Sequence, residues 1–391
     1  MIIGVPKETY PGERRVALVP LVVGSLTKAG NTVMMESGAG TAATYPDDEY
    51  VAKGARIGTR AEIFQQADIV AQVRTFSANA RAGEADLGWI RTGQVVVGFA
   101  DPLAEPLAAQ RIAITGATLF SLELMPRTTR AQSMDALSSM ATVAGYKAVL
   151  LAANTAPKMF PLMMTAAGTL QPVRVLVLGA GVAGLQAIAT ARRNGALVEA
   201  YDVRPAVKEQ VESLGAKFVD LGVVSEKAEG AGGYAQQQSA DFLDRQREAL
   251  GRVIATADVV ITTAAVPGQR APILVTSDMV RQMSTGSVIV DLAAERGGNC
   301  ELTRPGETVI EGGVTIFGPL NLATDVPTHA SQMYAKNIAA FISYLIKDNE
   351  LRIDHGDEIV AATLVAEGGA LVHPRVLRAL QTAEEPGHDR V

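Results

Sequence analysis

Residues 173–178 form a short apolar run that leads directly into Gly179-Ala180-Gly181-Val182-Ala183-Gly184, and this glycine-rich stretch opens an apolar helical segment. No other feature restricts the fold as much. A lone G-x-G-x-x-G run is weak evidence. Between a buried strand and a helix, it matches the turn of a dinucleotide-binding βαβ unit. Gly179 allows the tight turn, Gly181 lets the backbone approach a pyrophosphate, and Gly184 lets the helix pack against the strand. Val182 and Ala183 lead into the helix expected at 184–193, whose N-terminus offers N–H groups and a positive dipole end to phosphates. The next strand ends at Asp202, 21 residues after Gly181. A carboxylate there accepts hydrogen bonds from ribose hydroxyls and repels a 2′-phosphate, which favours NAD over NADP. Arg204 is the counter-argument, since a nearby arginine can accommodate that phosphate. The bland alternative is a plain glycine turn with a surface aspartate. Strand, turn, helix, strand and acid in one register favour the nucleotide.

The rest of the chain alternates in the same way. Short apolar runs at 2–5, 32–35, 68–73, 94–99 and 112–115 read as strands, with helices at 20–29 and 61–67 between them. After 173–178 come a helix to Arg193, a strand at 197–201, a helix at 205–214 and strands at 217–219, 258–263, 287–291 and 314–317. Val- and Ile-rich runs without in/out alternation predict parallel strands buried on both faces. The fold class expected is therefore α/β, with two Rossmann-like doubly wound parallel-sheet lobes. Leu122-Glu123-Leu124-Met125-Pro126 ends a strand in this reading, and residues 131–154 form one long connector helix. A second connector at 331–347 returns the chain to the first lobe. The expected boundaries are 1–130 with 328–382 for the first lobe, 131–327 for the nucleotide lobe, and a disordered tail at 383–391.

At 391 residues the chain has room for two or three domains. Lys+Arg 35 against Asp+Glu 41 gives a net charge of −6 with no basic block, a poor profile for nucleic-acid binding. The single cysteine, Cys300, makes neither an internal disulfide nor a thiolate metal site, and the four histidines show no ligand spacing, so no metal is expected. No basic, then apolar, secretory segment follows Met1, and a cytoplasmic location is expected. Residues 175–191 are uncharged over 17 positions but hold three glycines, and they read as strand, turn and helix rather than a membrane span.

Three other groups are candidates for chemistry. Arg127, Gln132, Asp135, Ser138 and Ser139 cluster at the start of the long helix, with Gln132, Asp135 and Ser139 spaced to share one helical face. They suit the orientation of a carboxamide-bearing ring. Capping is the simpler explanation, because Thr129-Arg130-Ala131-Gln132 matches a capping box and Asp135 favours a helix N-terminus. Tyr234 sits in the glycine-rich segment 226–238, a mobile loop in this reading, where an aromatic can close over a nucleotide or simply be exposed. Lys7, Glu8, Arg14 and Arg15 follow the first strand and read as a solvated face.

These residues resemble the NAD(H)-binding domain, the soluble alpha-subunit portion, of proton-translocating NAD(P)+ transhydrogenase. The similarity is carried by Glu123-Leu124-Met125-Pro126-Arg127 with Arg130-Ala131-Gln132-Ser133-Met134-Asp135, by Met163-Met164-Thr165-Ala166-Ala167-Gly168-Thr169, and by Asp202-Val203-Arg204. The glycine turn with its helix and the stretch Pro6-Lys7-Glu8 through Ala17 match as well. The resemblance covers residues 1–345 or so. It implies two Rossmann-like lobes, NAD(H) in a cleft and a homodimer. It places Arg127, Gln132, Asp135 and Ser138 around the nicotinamide and its ribose, Asp202, Val203 and Arg204 at the adenosine, and Tyr234 on a mobile loop. That reverses the preference for capping at Gln132. It also implies partners: an NADP(H)-binding subunit that receives the hydride and membrane-spanning subunits that couple it to proton movement. This chain would then be peripheral to the inner membrane.

Alanine dehydrogenase shares the fold and is the main rival. That family handles its keto acid with a lysine and a histidine, and the corresponding positions here carry Arg74 and Asp101. Gly98-Phe99-Ala100-Asp101-Pro102 offers no imidazole for acid–base work. Hydride transfer between two nicotinamides needs no such group, only reacting atoms held about 3–3.5 Å apart. A non-catalytic NAD(H)-sensing module is the third reading.

Overall fold

A computed structural model describes residues 1–222, 240–266 and 268–384. The chain divides into two compact units, residues 1–140 with those from 323 on, and residues 141–322.

The first unit is built on β1 (Ile2–Val5), β2 (Thr32–Glu36), β3 (Arg56–Gly58), β4 (Ile69–Arg74), β5 (Val95–Phe99) and β6 (Thr118–Ser121). Their order across the sheet is β6-β5-β4-β1-β2-β3, all parallel. Ile3, Ile69, Val70, Val96 and Val97 are wholly buried, which is why these strands read as unbroken apolar runs. The chain leaves β1 toward one edge and returns at β4 toward the other, so the switch in strand order lies between β1 and β4. The returning segment supplies the helix Pro327–Leu345, with Tyr334 and Phe341 fully buried. It also supplies two strands, Leu364–Glu367 and Ala370–Leu371, the first pairing antiparallel with β6.

The second unit adds a hairpin, β7 (Met163–Thr165) with β8 (Gly168–Leu170), and a seven-stranded sheet. The sheet comprises β9 (Arg174–Leu178), β10 (Leu197–Tyr201), β11 (Lys217–Phe218), β12 (Val259–Thr262), β13 (Val288–Asp291), β14 (Thr308–Glu311) and β15 (Val314–Phe317), ordered β11-β10-β9-β12-β13-β15-β14. Only β14 is antiparallel. Here the strand order reverses between β9 and β12, the position where open α/β sheets bind ligands.

Several local expectations are corrected. Residues 112–115 are not a strand. They end the helix Pro106–Ile114, which has Pro106 in its first turn and buries Ala108, Ala109, Ile112 and Ala113. β-Branched Ile112, Ile114 and Thr115 suggested a strand, but the three- and four-residue spacing of the buried positions prevails. Residues 122–124 form a 3-10 turn after β6 rather than a strand end. The long helix starts at Ala136, not 131. The 3-10 turn Thr129–Met134 precedes it, and Asp135, at φ −75° and ψ 81°, separates the two. Gln132 therefore shares no helical face with Asp135 and Ser139. The unit boundary falls inside this helix, and the return crossing falls at Leu322–Ala323, ahead of Pro327–Leu345.

By length and composition Ala136–Thr155 also resembles a membrane span, with hydropathy 1.4. Ala148, Val149 and Ala152 are nevertheless wholly buried in the second unit's core, as in a core helix. The uncharged run 175–191 resolves into β9 and the helix Val182–Arg193. Of the tail expected at 383–391, Ala383 and Glu384 end the helix Pro374–Glu384 and the rest lies outside the described residues, as does the loop at 226–238.

Candidate nucleotide site

Gly179 leaves β9 at φ +100°, a conformation that favours glycine. Its N–H donates to the Tyr201 carbonyl at 2.8 Å, and its carbonyl accepts Thr263 Oγ1 at 2.9 Å. A Cβ at Gly184 would collide with the Gly179 carbonyl oxygen, so the helix start is pressed against the turn. A Cβ at Gly145, in the long helix, would likewise strike the Ala183 carbonyl. At Gly181 a Cβ would find nothing within 4 Å, which leaves the space before the turn open. The first bond of this helix runs from Leu185 N–H to Gly181 O at 2.8 Å. The N–H groups of Val182, Ala183 and Gly184 have no partner within the helix, as at any helix start. Open space and unspent amides fit a pyrophosphate.

Asp202, just after β10, is buried and bonds back to the turn by accepting Ala180 N–H at Oδ2, 2.7 Å. Arg204 forks onto the same carboxylate through Nε at 2.9 Å and Nη2 at 2.8 Å, and its own N–H adds a bond at 2.8 Å. Val203 lies between them, half-buried against the core. Thr263, just after β12, also donates its N–H to Leu178 O, which ties the two strands across the order reversal. Beneath it the Asn299 side chain accepts Ala264 N–H and donates to the Ala264 and Pro272 carbonyls. Buried Asp291 accepts from Thr262, Ala293, Asn299, Cys300 and Thr303. Thr263, Asn299 and Asp291 escaped the sequence reading because only strand order brings them to the turn. Gly145 left a signal, a glycine inside a helix, which usually has a packing reason.

Asp135 and Ser138 are bonded to each other. Asp135 Oδ1 accepts Ser138 N–H at 2.8 Å and Oδ2 accepts Ser138 Oγ at 2.6 Å. Asp135 is thus the N-cap of Ala136–Thr155. The capping box expected at Thr129 and Gln132 is not formed: Gln132 lies exposed in the 3-10 turn, and Thr128, at the head of that turn, makes no side-chain cap bond. Arg127 is also exposed. Tyr234 lies outside the described residues. Cys300 is buried, and burial pushes its thiol up to about 11, an unreactive group.

The parallel strands of the first unit follow the same order as those of the second, but the first unit's switch point is filled by its own side chains. Glu8, read as part of a solvated face, is instead half-buried and accepts the N–H groups of Val73 at 2.6 Å and Arg74 at 3.2 Å. Burial, and next the charge of Glu13, pushes its carboxyl up to about 8. Arg15 forks onto Glu13 at 2.8 and 2.6 Å, both side chains nearly inaccessible. Burial pushes Glu13 up, but the Arg15 bonds and charge outweigh it and hold the carboxyl down to about 2. Arg74 stacks on Tyr10, 4.1 Å from the ring centre. Asp101, in the left-handed region at φ 44°, donates its N–H to Glu123.

The chain is similar to known proteins over most of its length. Residues 4–144 match the family model "Alanine dehydrogenase/PNT, N-terminal domain" and residues 148–374 match "Alanine dehydrogenase/PNT, C-terminal domain". An NAD(P) transhydrogenase subunit alpha chain of Rhodospirillum rubrum is 46% identical over 378 residues, 96% of this chain and 98% of that protein. The crystal structure of transhydrogenase from Sinorhizobium meliloti superposes with a TM-score of 0.85 at 45% identity, covering 95% of this chain and all of that one. The alanine dehydrogenase of Mycobacterium tuberculosis is 30% identical over 315 residues, 78% of this chain and 76% of that protein.

Proposed function

The chain belongs to the alanine dehydrogenase/PNT family, and on that premise we propose that it is the NAD(H)-binding subunit of a proton-translocating transhydrogenase. The observation that carries the reading is the glycine turn at the second unit's order reversal, with Asp202 bonded to Ala180 N–H at its side. The amides of Val182, Ala183 and Gly184 receive the pyrophosphate, with Gly179 and Gly181 shaping the turn. Asp202, Val203 and Arg204 hold the adenosine ribose and select NAD(H). Arg127, Gln132, Asp135 and Ser138 orient the nicotinamide, and Tyr234 belongs to the same site. Bound NADH supplies a hydride, which passes to NADP+ on a partner subunit. The chain's own residues bind and orient; no proton is moved at the reacting carbon, so no general base is required.

The state of Arg15 and Asp101 supports this over the amino-acid dehydrogenase. As an amino-acid dehydrogenase the chain would use Arg15 to hold the substrate carboxylate, but Arg15 is already forked onto Glu13, and Asp101 supplies no imidazole. Membrane-spanning partners couple the transfer to proton movement and keep this chain peripheral to the inner membrane, on the cytoplasmic side. A homodimer is supported by the hairpin β7–β8. Among the described residues its strands pair only with each other, and Met164 and Leu170 stand exposed beside Leu162. A lone two-stranded hairpin is marginal in water, and exposed apolar clusters mark interfaces. Sedimentation of the pure chain checks the dimer; transfer of labelled hydride, with and without an NADP(H)-binding partner, checks the function.

A further inference from the structure

Arg127 and Gln132 are exposed and sit on a turn that is helical only over Thr129–Met134. Side chains that orient a reacting group need support from packing or from a second layer of hydrogen bonds. Here the support comes from the returning segment. Asn337, on the helix Pro327–Leu345, donates from Nδ2 to the Ser133 carbonyl at 2.8 Å. Arg130 donates from Nη2 to Asp357 Oδ2 at 2.6 Å and to the Tyr344 hydroxyl. Tyr344 donates that hydroxyl to the same Asp357 oxygen at 2.6 Å. Asp357 Oδ1 caps the helix Glu358–Thr363, accepting the N–H groups of Ile359 at 2.9 Å and Val360 at 3.2 Å. One oxygen anchors the carboxylate while the other holds the turn. Surface ion pairs such as Arg130–Asp357 contribute little stability. What this three-membered arrangement supplies is direction.

We propose that Asp357, Tyr344 and Asn337 are positioning residues for hydride transfer, setting through Arg130 and Ser133 where the turn presents Arg127 and Gln132. This rests on the reading above that the turn contacts the nicotinamide. Asp357→Asn is the informative variant. Asparagine caps as well as aspartate does, so the helix stays anchored while the ionic hold on Arg130 is lost.

The test uses the full chain with an NADP(H)-binding partner subunit. It measures single-turnover transfer from NADH, the NADH dissociation constant, and hydrogen exchange over residues 127–134. Asp357→Asn is expected to slow transfer about tenfold, well within the roughly hundredfold that a misplacement near 1 Å can cost. The NADH dissociation constant should change less than about twofold, the pattern of a lost transition-state interaction. Exchange in the turn should quicken, Arg130→Gln should give the same loss, and the double variant should lose no more. Unchanged transfer and exchange would overturn the inference, as would binding that weakens in step with the rate. Should the wild-type pair transfer no hydride, the functional reading fails, and exchange in Asp357→Asn still decides on its own whether the clamp exists: quickened if it does, unchanged if it does not.

Discussion

The carboxylate of Asp202 is held by Arg204 through three hydrogen bonds, two from the guanidinium and one from the backbone, while it accepts Ala180 N–H from the glycine turn. The bonds fall two to each oxygen. If Asp202 holds the ribose as proposed, the ribose hydroxyls must displace the Arg204 fork or share its oxygens. Removing the carboxylate frees a guanidinium beside the ribose position.

Asp202→Ala is accordingly expected to weaken NADH binding by about tenfold to a hundredfold, the range for a hydrogen bond to a charged group. Affinity for NADPH should fall less, or rise, because Arg204 can then meet the 2′-phosphate. Calorimetric titration with both nucleotides checks this. An equal loss for the two would mean that the pair does not set selectivity.

The glycines of the turn separate steric from binding effects. Gly184→Ala drives a Cβ into the Gly179 carbonyl and should destabilise the chain by about 1–3 kcal/mol, as overpacking does. Gly181→Ala has open space and φ −76°, so thermal unfolding should move by no more than about 0.5 kcal/mol while NADH binding weakens. Scanning calorimetry with and without NADH distinguishes the two.

Gln132 takes no part in a cap, and Asp135 does. Gln132→Asn should leave thermal stability unchanged and slow hydride transfer more than it weakens NADH binding. Asp135→Ala should cost about 1 kcal/mol through the lost N-cap. Thermal melts set beside single-turnover rates test the pair, and a Gln132→Asn chain that melts early would restore the capping role.

Half-buried Glu8 predicts a loss of stability as the pH rises from about 4.5 to about 8. Its carboxyl, raised from 4.5 to about 8, keeps a proton in the folded chain that the unfolded chain releases. Its contribution is full below pH 4.5 and is lost as the pH rises through about 8, at most about 1.4 kcal/mol per pH unit. Glu13, held down to about 2, acts in the opposite sense: its contribution is present above pH 4.5 and is lost as the pH falls toward 2. Denaturant melts from pH 5 to 8 should show a shallower decline for Glu8→Gln; parallel slopes would contradict this.

Much of the second unit was legible because each of its parallel strands is a short apolar run between helices, and β9, β10, β13 and β15 fall within a residue of their expected bounds. The geometry of the glycine turn, with Asp202 at the end of the next strand, was legible because it follows from one strand–turn–helix–strand stretch of sequence. What escaped depends on distance in sequence. Leu364–Glu367 is short and is a strand through its pairing with β6 and with Ala370–Leu371. Glu8 looked solvated because nothing local shows that Val73 and Arg74 would cover it. Helix starts also misled: Thr129 and Gln132 fit a capping pattern, but Asp135 is the residue whose carboxylate reaches Ser138 N–H.

The most direct test of hydride transfer follows tritium at C4 of NADH, presented to this chain with NADP+ on an NADP(H)-binding partner. Label is expected to pass straight to NADP+, with none appearing in water and no transfer when either chain is left out. Absence of transfer with the partner present, or rapid alanine-dependent reduction of NAD+ by this chain alone, would contradict the transhydrogenase role.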